Sequence, residues 1–331
     1  MSTPISDAVL ESVLSQYPLA APHVLGPVEA SKRNDSFLVE DAAGDRYVLR
    51  RYRRNPDEAR ILFQLRFQQE LYRRGFPTSR IVEAEADELF VASEAGPWAV
   101  FGLVEGCEFD FARVAQVAEA GRRLAQFHTV SESIELEHVA LDVNPDARRW
   151  WTRGEDELAA LDALFRGRGV DEELAFVRDW AAELRDGMSL DALERLPAGW
   201  AHGDYHGRNM VFVEDELGGL FDFDVLYRGL YVEDVAYGLF MFGREFRGSR
   251  RIRPEAAQLF LDGYDRVRAL ADDERALLPV MMALGWSPRA AYYALMERDG
   301  EDAVAFFQRD VSFVRDLQAE AQRLRPLLVA G

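Results

Sequence analysis

The chain has 331 residues, enough for two lobes or domains, and its 48% apolar and 29% charged residues are an ordinary balance for a globular protein. A formal net charge of −19 argues against a tightly bound nucleic acid, because phosphate contacts need a basic face. No apolar run approaches the ~20 residues of a membrane-spanning helix.

The N-terminal "MSTPISDAVLESVLSQYPLA" lacks a basic start followed by an apolar core, and Cys107 is the only cysteine. Both features predict a protein of the reducing cytoplasm, with no membrane partner and no internal disulfide. The excess acid has two readings: a solvated acidic surface, or a cleft that attracts a cationic substrate. The basic residues are arginines except for Lys32.

Along the chain, a short amphipathic helix is expected from about Ser6 to Gln16. "DSFLVE" and "DRYVLRRY" flank the turn-like "DAAG" and predict a hairpin. "PDEARILFQLRFQQELYRRG" has helical apolar spacing, with Pro56 suited to its start and Gly75 and Pro77 to its end. "ELFVAS" and "WAVFGLV" around "EAGP" predict a second hairpin. These elements form one small strand-rich lobe, residues 1–104.

Residues 105–331 read as a mainly helical lobe. "FARVAQVAEAGRRLAQFH", "DEELAFVRDWAAELRDG", "RPEAAQLFLDGYDRVRAL" and "AVAFFQRDVSFVRDLQAEAQRL" are its amphipathic candidates. One strand-like stretch, "MVFVEDELGGLFDFD", interrupts them and reads as a hairpin with "FDFD" on its second strand. The octapeptide "HGDYHGRN", His202 to Asn209, stands directly before it, so local chain geometry brings the two polar clusters together.

Three chemistries compete for these clusters. His202, Asp204 and His206 alternate and carry zinc-ligand types, but Gly203 and Gly207 argue for a loop and His23, His128 and His138 lack ligand spacing. A polar turn capping backbone groups is the inert alternative. Phosphoryl transfer accounts for most: it needs a carboxylate to orient or deprotonate a hydroxyl, and oxygen ligands for Mg²⁺. Asp204 supplies the first, and Asn209, five later, and Asp222, thirteen beyond that, supply the second.

"HGDYHGRN" followed by "FDFD" resembles the signature of the aminoglycoside phosphotransferase and choline kinase superfamily, with its protein-kinase-like fold. The order of a strand-rich lobe, a connector and a helical lobe agrees over most of the chain. "GRRLAQFH" and "VEDVAYGL" resemble two of the family's helices, and the overall pattern is closest to its homoserine-kinase-like bacterial group.

The resemblance implies an α+β, bilobal protein-kinase-like fold, with ATP and Mg²⁺ as cofactors. It implies Asp204 as catalytic base and Asn209 and Asp222 as metal ligands. His202 and His206 would support the loop, and Asp234 would brace it from the next helix. Asp224, one alternation beyond Asp222, could face the same site, its role open. For the nucleotide, the resemblance implies Arg50 in the third-strand position usually held by lysine, Lys32 in the loop over the phosphates, and the backbone near Leu103 and Val104 against adenine. The helix partner of Arg50 would be Gln64, which cannot form an ion pair, or Glu70.

The expected function is a kinase acting on a small-molecule hydroxyl: an amino alcohol, an amino acid such as homoserine, a sugar or an aminoglycoside. The acidic charge favours an amine-bearing acceptor. The alternatives are a protein serine/threonine kinase of the same fold and a degenerate nucleotide-binding module.

Overall fold

The computed structural model describes residues 5–28, 34–53, 57–139 and 146–329. Lys32 and Pro56 lie outside the described residues. The N-terminal part holds helix α1 (Asp7–Leu14), strands β1 (His23–Pro27), β2 (Asp35–Glu40) and β3 (Arg46–Arg51), helix α2 (Glu58–Arg73), and strands β4 (Ile81–Val82), β5 (Val91–Ser93) and β6 (Gly96–Gly102). The strands form one six-stranded sheet, ordered β1-β2-β3-β6-β4 with β5 pairing β6. Strands β1 and β4 add to the four expected.

Turn chemistry explains the first hairpin. Asp41 Oδ1 accepts the N–H groups of Ala43 (2.9 Å) and Asp45 (3.1 Å), and Gly44 takes a left-handed φ of 84° that favours glycine.

The C-terminal part begins with α3 (Val114–Ser131), α4 (Arg149–Thr152), α5 (Gly154–Phe165), α6 (Asp171–Gly187) and α7 (Leu190–Glu194). It continues with β7 (Ala198–Ala201), β8 (Met210–Val213), β9 (Glu216–Leu220) and β10 (Tyr227–Leu230). It closes with α8 (Tyr231–Gly243), α9 (Pro254–Asp265), α10 (Asp272–Leu284), α11 (Ala290–Arg298) and α12 (Ala303–Leu328). The fold is therefore α+β and bilobal, with a β-sheet N-terminal region and a helical C-terminal part. None of the described helices is long and apolar enough to cross a membrane.

Helix α2 joins the two cores. Asp57 caps it by accepting the Arg60 N–H at 3.0 Å. Ile61 and Leu65, four apart, pack on the sheet with Tyr52, Ala99 and Phe101. Phe63, Phe67 and Leu71 repeat the same spacing on the other side and join the helical core beside Phe127, Trp200 and Phe223. A helix buried on both sides has few solvent positions left, which is why Arg60, Gln64 and Gln68 are also buried.

Helices α3 and α9 cross backbone to backbone. A Cβ on Gly121 would lie 2.0 Å from the Phe260 carbonyl, and one on Gly263 2.0 Å from that of Ala118. No larger residue fits either position, and this contact sets α3 behind the loop that follows β7.

Glu233 in the first turn of α8 is buried, accepting from the Tyr227 hydroxyl and, at 3.4 Å, the Leu230 N–H. Burial and then the charge of Asp146 push its pKa from 4.5 up to about 8, against the hydrogen bonds it accepts. The folded chain thus keeps a proton on Glu233 over a range where the unfolded chain has lost it. The stability this gives is complete below about pH 4.5 and is lost as pH rises through about 8. Glu233→Gln should remove that slope. Thermal melts should show the variant gaining on wild type by a few kcal/mol at most between about pH 5 and 9, at ~1.4 kcal/mol per pKa unit. Parallel melting curves for the two proteins would refute this assignment.

Candidate active site

The loop after β7 is fixed from beneath by Asp234 of α8, which is 1% exposed. Its Oδ2 accepts the His202 N–H at 2.5 Å and its Oδ1 the Gly203 N–H at 2.9 Å. The same carboxylate meets His128 Nε2 at 3.3 Å, and His128 Nδ1 meets the Tyr264 hydroxyl at 2.8 Å. Gly203 has φ +77°, and a Cβ there would approach the Val225 carbonyl to 3.0 Å. Tyr205 is buried and donates its hydroxyl to the Ala120 carbonyl of α3 at 2.7 Å.

The imidazoles are fully engaged. His202 is buried; its Nε2 donates to the Phe221 carbonyl (3.0 Å), and its Nδ1 accepts the Asp204 N–H (3.3 Å). Burial lowers its pKa below the usual histidine range, so it is held neutral. His206 Nδ1 accepts the Arg208 N–H at 3.2 Å, and its Nε2 faces Asp204 Oδ1 at 3.3 Å. With both ring nitrogens committed, neither histidine is available as a metal ligand in this arrangement, and the zinc-hydrolase alternative falls away.

Asp204 stands at the centre. Its Oδ1 accepts from the Tyr237 hydroxyl at 3.0 Å, and Asn209 Nδ2 bonds its carbonyl at 3.0 Å and its Oδ2 at 3.3 Å. Burial would raise its pKa, but His206, His202 and Tyr237 outweigh it and hold the carboxyl well below its ordinary range. The side chain stays 28% exposed.

"FDFD" is not on a strand. β9 ends at Leu220, and Asp222 takes a left-handed backbone, φ 64° and ψ 65°, ahead of a single 3₁₀ turn at Phe223–Val225. Asp222 and Asp224 therefore meet through a turn and not through strand alternation. The β8–β9 pairing keeps Asn209 beside them, with the Phe221 N–H donated to the Asn209 carbonyl at 2.9 Å.

From β3, Arg50 reaches across the cleft. Its Nη2 lies 3.1 Å from Asp222 Oδ1 and 3.0 Å from Asp224 Oδ2. Neither Gln64 nor Glu70 partners it. Glu70 instead pairs with Arg73 at 3.1 Å and with Arg74. Asn34 adds a contact to Asp224 Oδ2 at 3.4 Å. Burial and the neighbouring Asp222 push Asp224 up to about 6 against the pull of Arg50. Two carboxylates thus converge on one cationic nitrogen at the distances of a charge-assisted hydrogen bond. Asn209 turns its amide nitrogen toward Asp204. Asn209, Asp222 and Asp224 carry hard oxygen atoms, the donor type that suits Mg²⁺.

Leu103 and Val104 follow β6 and are half-buried. The Leu103 N–H is donated to the Arg46 carbonyl at 3.0 Å.

Two residues of this site escaped the sequence reading. Arg60 is fully buried and donates to the carbonyls of Asp224 (2.9 Å), Leu226 (2.8 Å) and Val139, so α2 grips the Phe223–Val225 turn by its backbone. The available signal was its place four before Gln64 and eight before Gln68, an uncharged helix face. The other is Tyr237, three residues after Asp234 on a helix that is apolar almost all round.

Residues 25–270 match the profile of the Phosphotransferase enzyme family (APH). A homoserine kinase of Phenylobacterium zucineum is 28% identical over 279 residues, 84% of this chain and 82% of that protein. One of Caulobacter vibrioides is 28% identical over 282 residues, 84% of each. Among solved structures, a microcompartment-associated aminopropanol kinase superposes with a TM-score of 0.67 at 17% identity, covering 98% of this chain and 99% of its own. An aminoglycoside phosphotransferase of Alicyclobacillus acidocaldarius gives 0.65 at 18%, covering 99% and 98%. With about three-quarters of its length inside that profile, the chain belongs to the phosphotransferase enzyme family.

Proposed function

We propose that this chain is a cytoplasmic kinase that transfers the γ-phosphoryl group of ATP, with Mg²⁺, to the hydroxyl of a small molecule bound between residues 1–104 and 105–331. One observation carries the reading: Arg50 meets Asp222 and Asp224 across the cleft, and Asn209 ties their hairpin to Asp204.

Asp204 accepts the acceptor hydroxyl as a hydrogen bond and takes its proton late, as the phosphoryl group arrives. Its low pKa makes it a weak base, which suffices where the transition state is loose and positioning dominates. Tyr237 and His206 fix the carboxylate that aims the hydroxyl. Asn209 and Asp222 would hold the Mg²⁺, which when bound offsets charge on the transferring phosphates. With metal and nucleotide bound, Arg50, which here bonds Asp222 and Asp224, would be the residue to grip the phosphates. Leu103 and Val104 would border the adenine, and Lys32 is proposed over the phosphates.

We take homoserine as the first acceptor to test, because the named relatives are homoserine kinases, and amino alcohols and aminoglycosides after it. The test is ADP release from Mg·ATP over a panel of amino acids, amino alcohols, sugars and aminoglycosides, with a generic protein substrate as a further arm. ADP should form with one small-molecule class, stop on chelation by EDTA and return with added Mg²⁺. A protein that binds no Mg-nucleotide, or that phosphorylates only the protein substrate, refutes the reading.

A further inference from the structure

Further along α8 from Tyr237, which bonds Asp204, lies a guanidinium with no ion pair among the described residues. Tyr237 and Arg244 are seven residues apart on α8 and its cap, two helical turns, so they share one side of the helix. The Tyr237 ring lies 6.2 Å from that of Trp286, which is 6.0 Å from that of Phe240. The Arg244 guanidinium lies 5.5 Å from the Phe240 ring and 5.8 Å from the Phe111 ring, so it continues this aromatic wall away from Asp204.

Arg244 forms no ion pair among the described residues, and its Nε is buried without a hydrogen-bond partner. Arg253 is likewise unfilled at Nε and Nη2, whereas two other arginines of the helical part meet carboxylates. Arg268 bonds Glu274 at 3.0 Å, and Arg149 has Glu157 at 3.8 Å. A half-buried guanidinium with an unfilled donor is unfavourable unless an anion joins it.

The surroundings select the sign of the ligand. Arg244 opens the run "REFRGSRRIR", five arginines and one glutamate in a chain of net charge −19. After Asp204, the charges felt most by the Tyr237 hydroxyl are the guanidinium groups of Arg244 and Arg289. After Asp204, the charges nearest the Tyr237 hydroxyl are thus cationic, although the whole molecule is acidic. Two helical turns span about 10 Å, and the reach of an arginine side chain shortens the gap to an acceptor a few bonds long.

We propose that Arg244 binds a carboxylate of the acceptor while Asp204 holds its hydroxyl, so that the substrate is a hydroxy acid, amino acids included, and not a purely cationic alcohol. This assignment rests on the phosphotransferase reading above. The guanidinium fork matches a carboxylate bidentately, and Arg289 adds its field from the start of α11. Arg244 would thereby separate substrates of the homoserine type from those of the aminopropanol type, which differ by that one group.

The test is binding, measured by calorimetry in the presence of Mg·ADP, for three pairs that differ only in the carboxylate. These are L-homoserine and 3-aminopropanol, L-serine and ethanolamine, and L-threonine and 1-amino-2-propanol. Wild type should favour the acid of at least one pair about 10-fold or more, and Arg244→Met should shrink that ratio roughly 10- to 100-fold, the range for hydrogen bonds to charged groups. Arg244→Lys, which keeps the charge, should retain part of it and guards against a folding defect. Arg298→Met, at a surface pair with Asp299, should leave the ratio unchanged. A wild type that binds no acid of the panel, or binds the amino alcohols as well, overturns the proposal, as does an unchanged ratio in Arg244→Met. Failure of the phosphotransferase reading looks different: carboxylate-dependent binding would persist while no acceptor yields ADP.

Discussion

Asp204→Asn is expected to lower kcat by about 10²-fold or more while nucleotide binding and the melting temperature stay close to wild type. Asparagine keeps the size of the side chain and an oxygen for Tyr237 but removes the negative charge that aims the hydroxyl proton. The loop itself should hold, because its anchors are Asp234 beneath His202 and Gly203 and the bond of Tyr205 to the Ala120 carbonyl of α3, not the Asp204 carboxylate. Tyr237→Phe should cost less, since His206 and Asn209 still orient the carboxylate. A steady-state ADP assay on purified variants distinguishes these cases. Turnover by Asp204→Asn equal to wild type would remove it from the reaction, and a collapsed melting temperature would make its role structural.

The sequence was most legible where local chemistry dictates the chain path. Asp41 and Gly44 close the first hairpin by bonds within five residues, and Asp57 and Gly75 bracket α2 in the same local way. The long amphipathic stretches became α3, α6, α9 and α12, because each buries one stripe against the same core. What was misread depended on tertiary placement. Alternation suggested a strand at "FDFD", but the left-handed Asp222 ends the pairing and turns both carboxylates toward Arg50. The ion pair sought on α2 does not exist. The helix is tied to the site by Arg60 and three carbonyls, a bond type that leaves no trace in side-chain pattern. The unpaired Arg244 was equally invisible, since a sequence lists charges without saying which of them are matched.

Asp222→Asn should produce the second large loss, and its signature is metal dependence. Asp222 supplies a full negative charge to the proposed cation position, whereas asparagine offers only a neutral oxygen. The half-saturating Mg²⁺ concentration should rise about 10-fold or more, and kcat at saturating Mg²⁺ should fall by about 10²- to 10³-fold, the several kcal/mol that a metal contributes to transition-state charge. The fold should survive, because asparagine tolerates the left-handed conformation at this position at least as well as aspartate. Arg50 would still be held by Asp224 at 3.0 Å, so the two lobes remain tied without nucleotide. Asp224→Asn should act more mildly on metal affinity, because burial and Asp222 already weaken its hold on a negative charge. Activity titrated against Mg²⁺ for both variants reads the difference directly. A wild-type Mg²⁺ curve for Asp222→Asn, with the deficit appearing in Asp224→Asn instead, would move the metal from one carboxylate to the other and with it the line along which the phosphoryl group travels to Asp204.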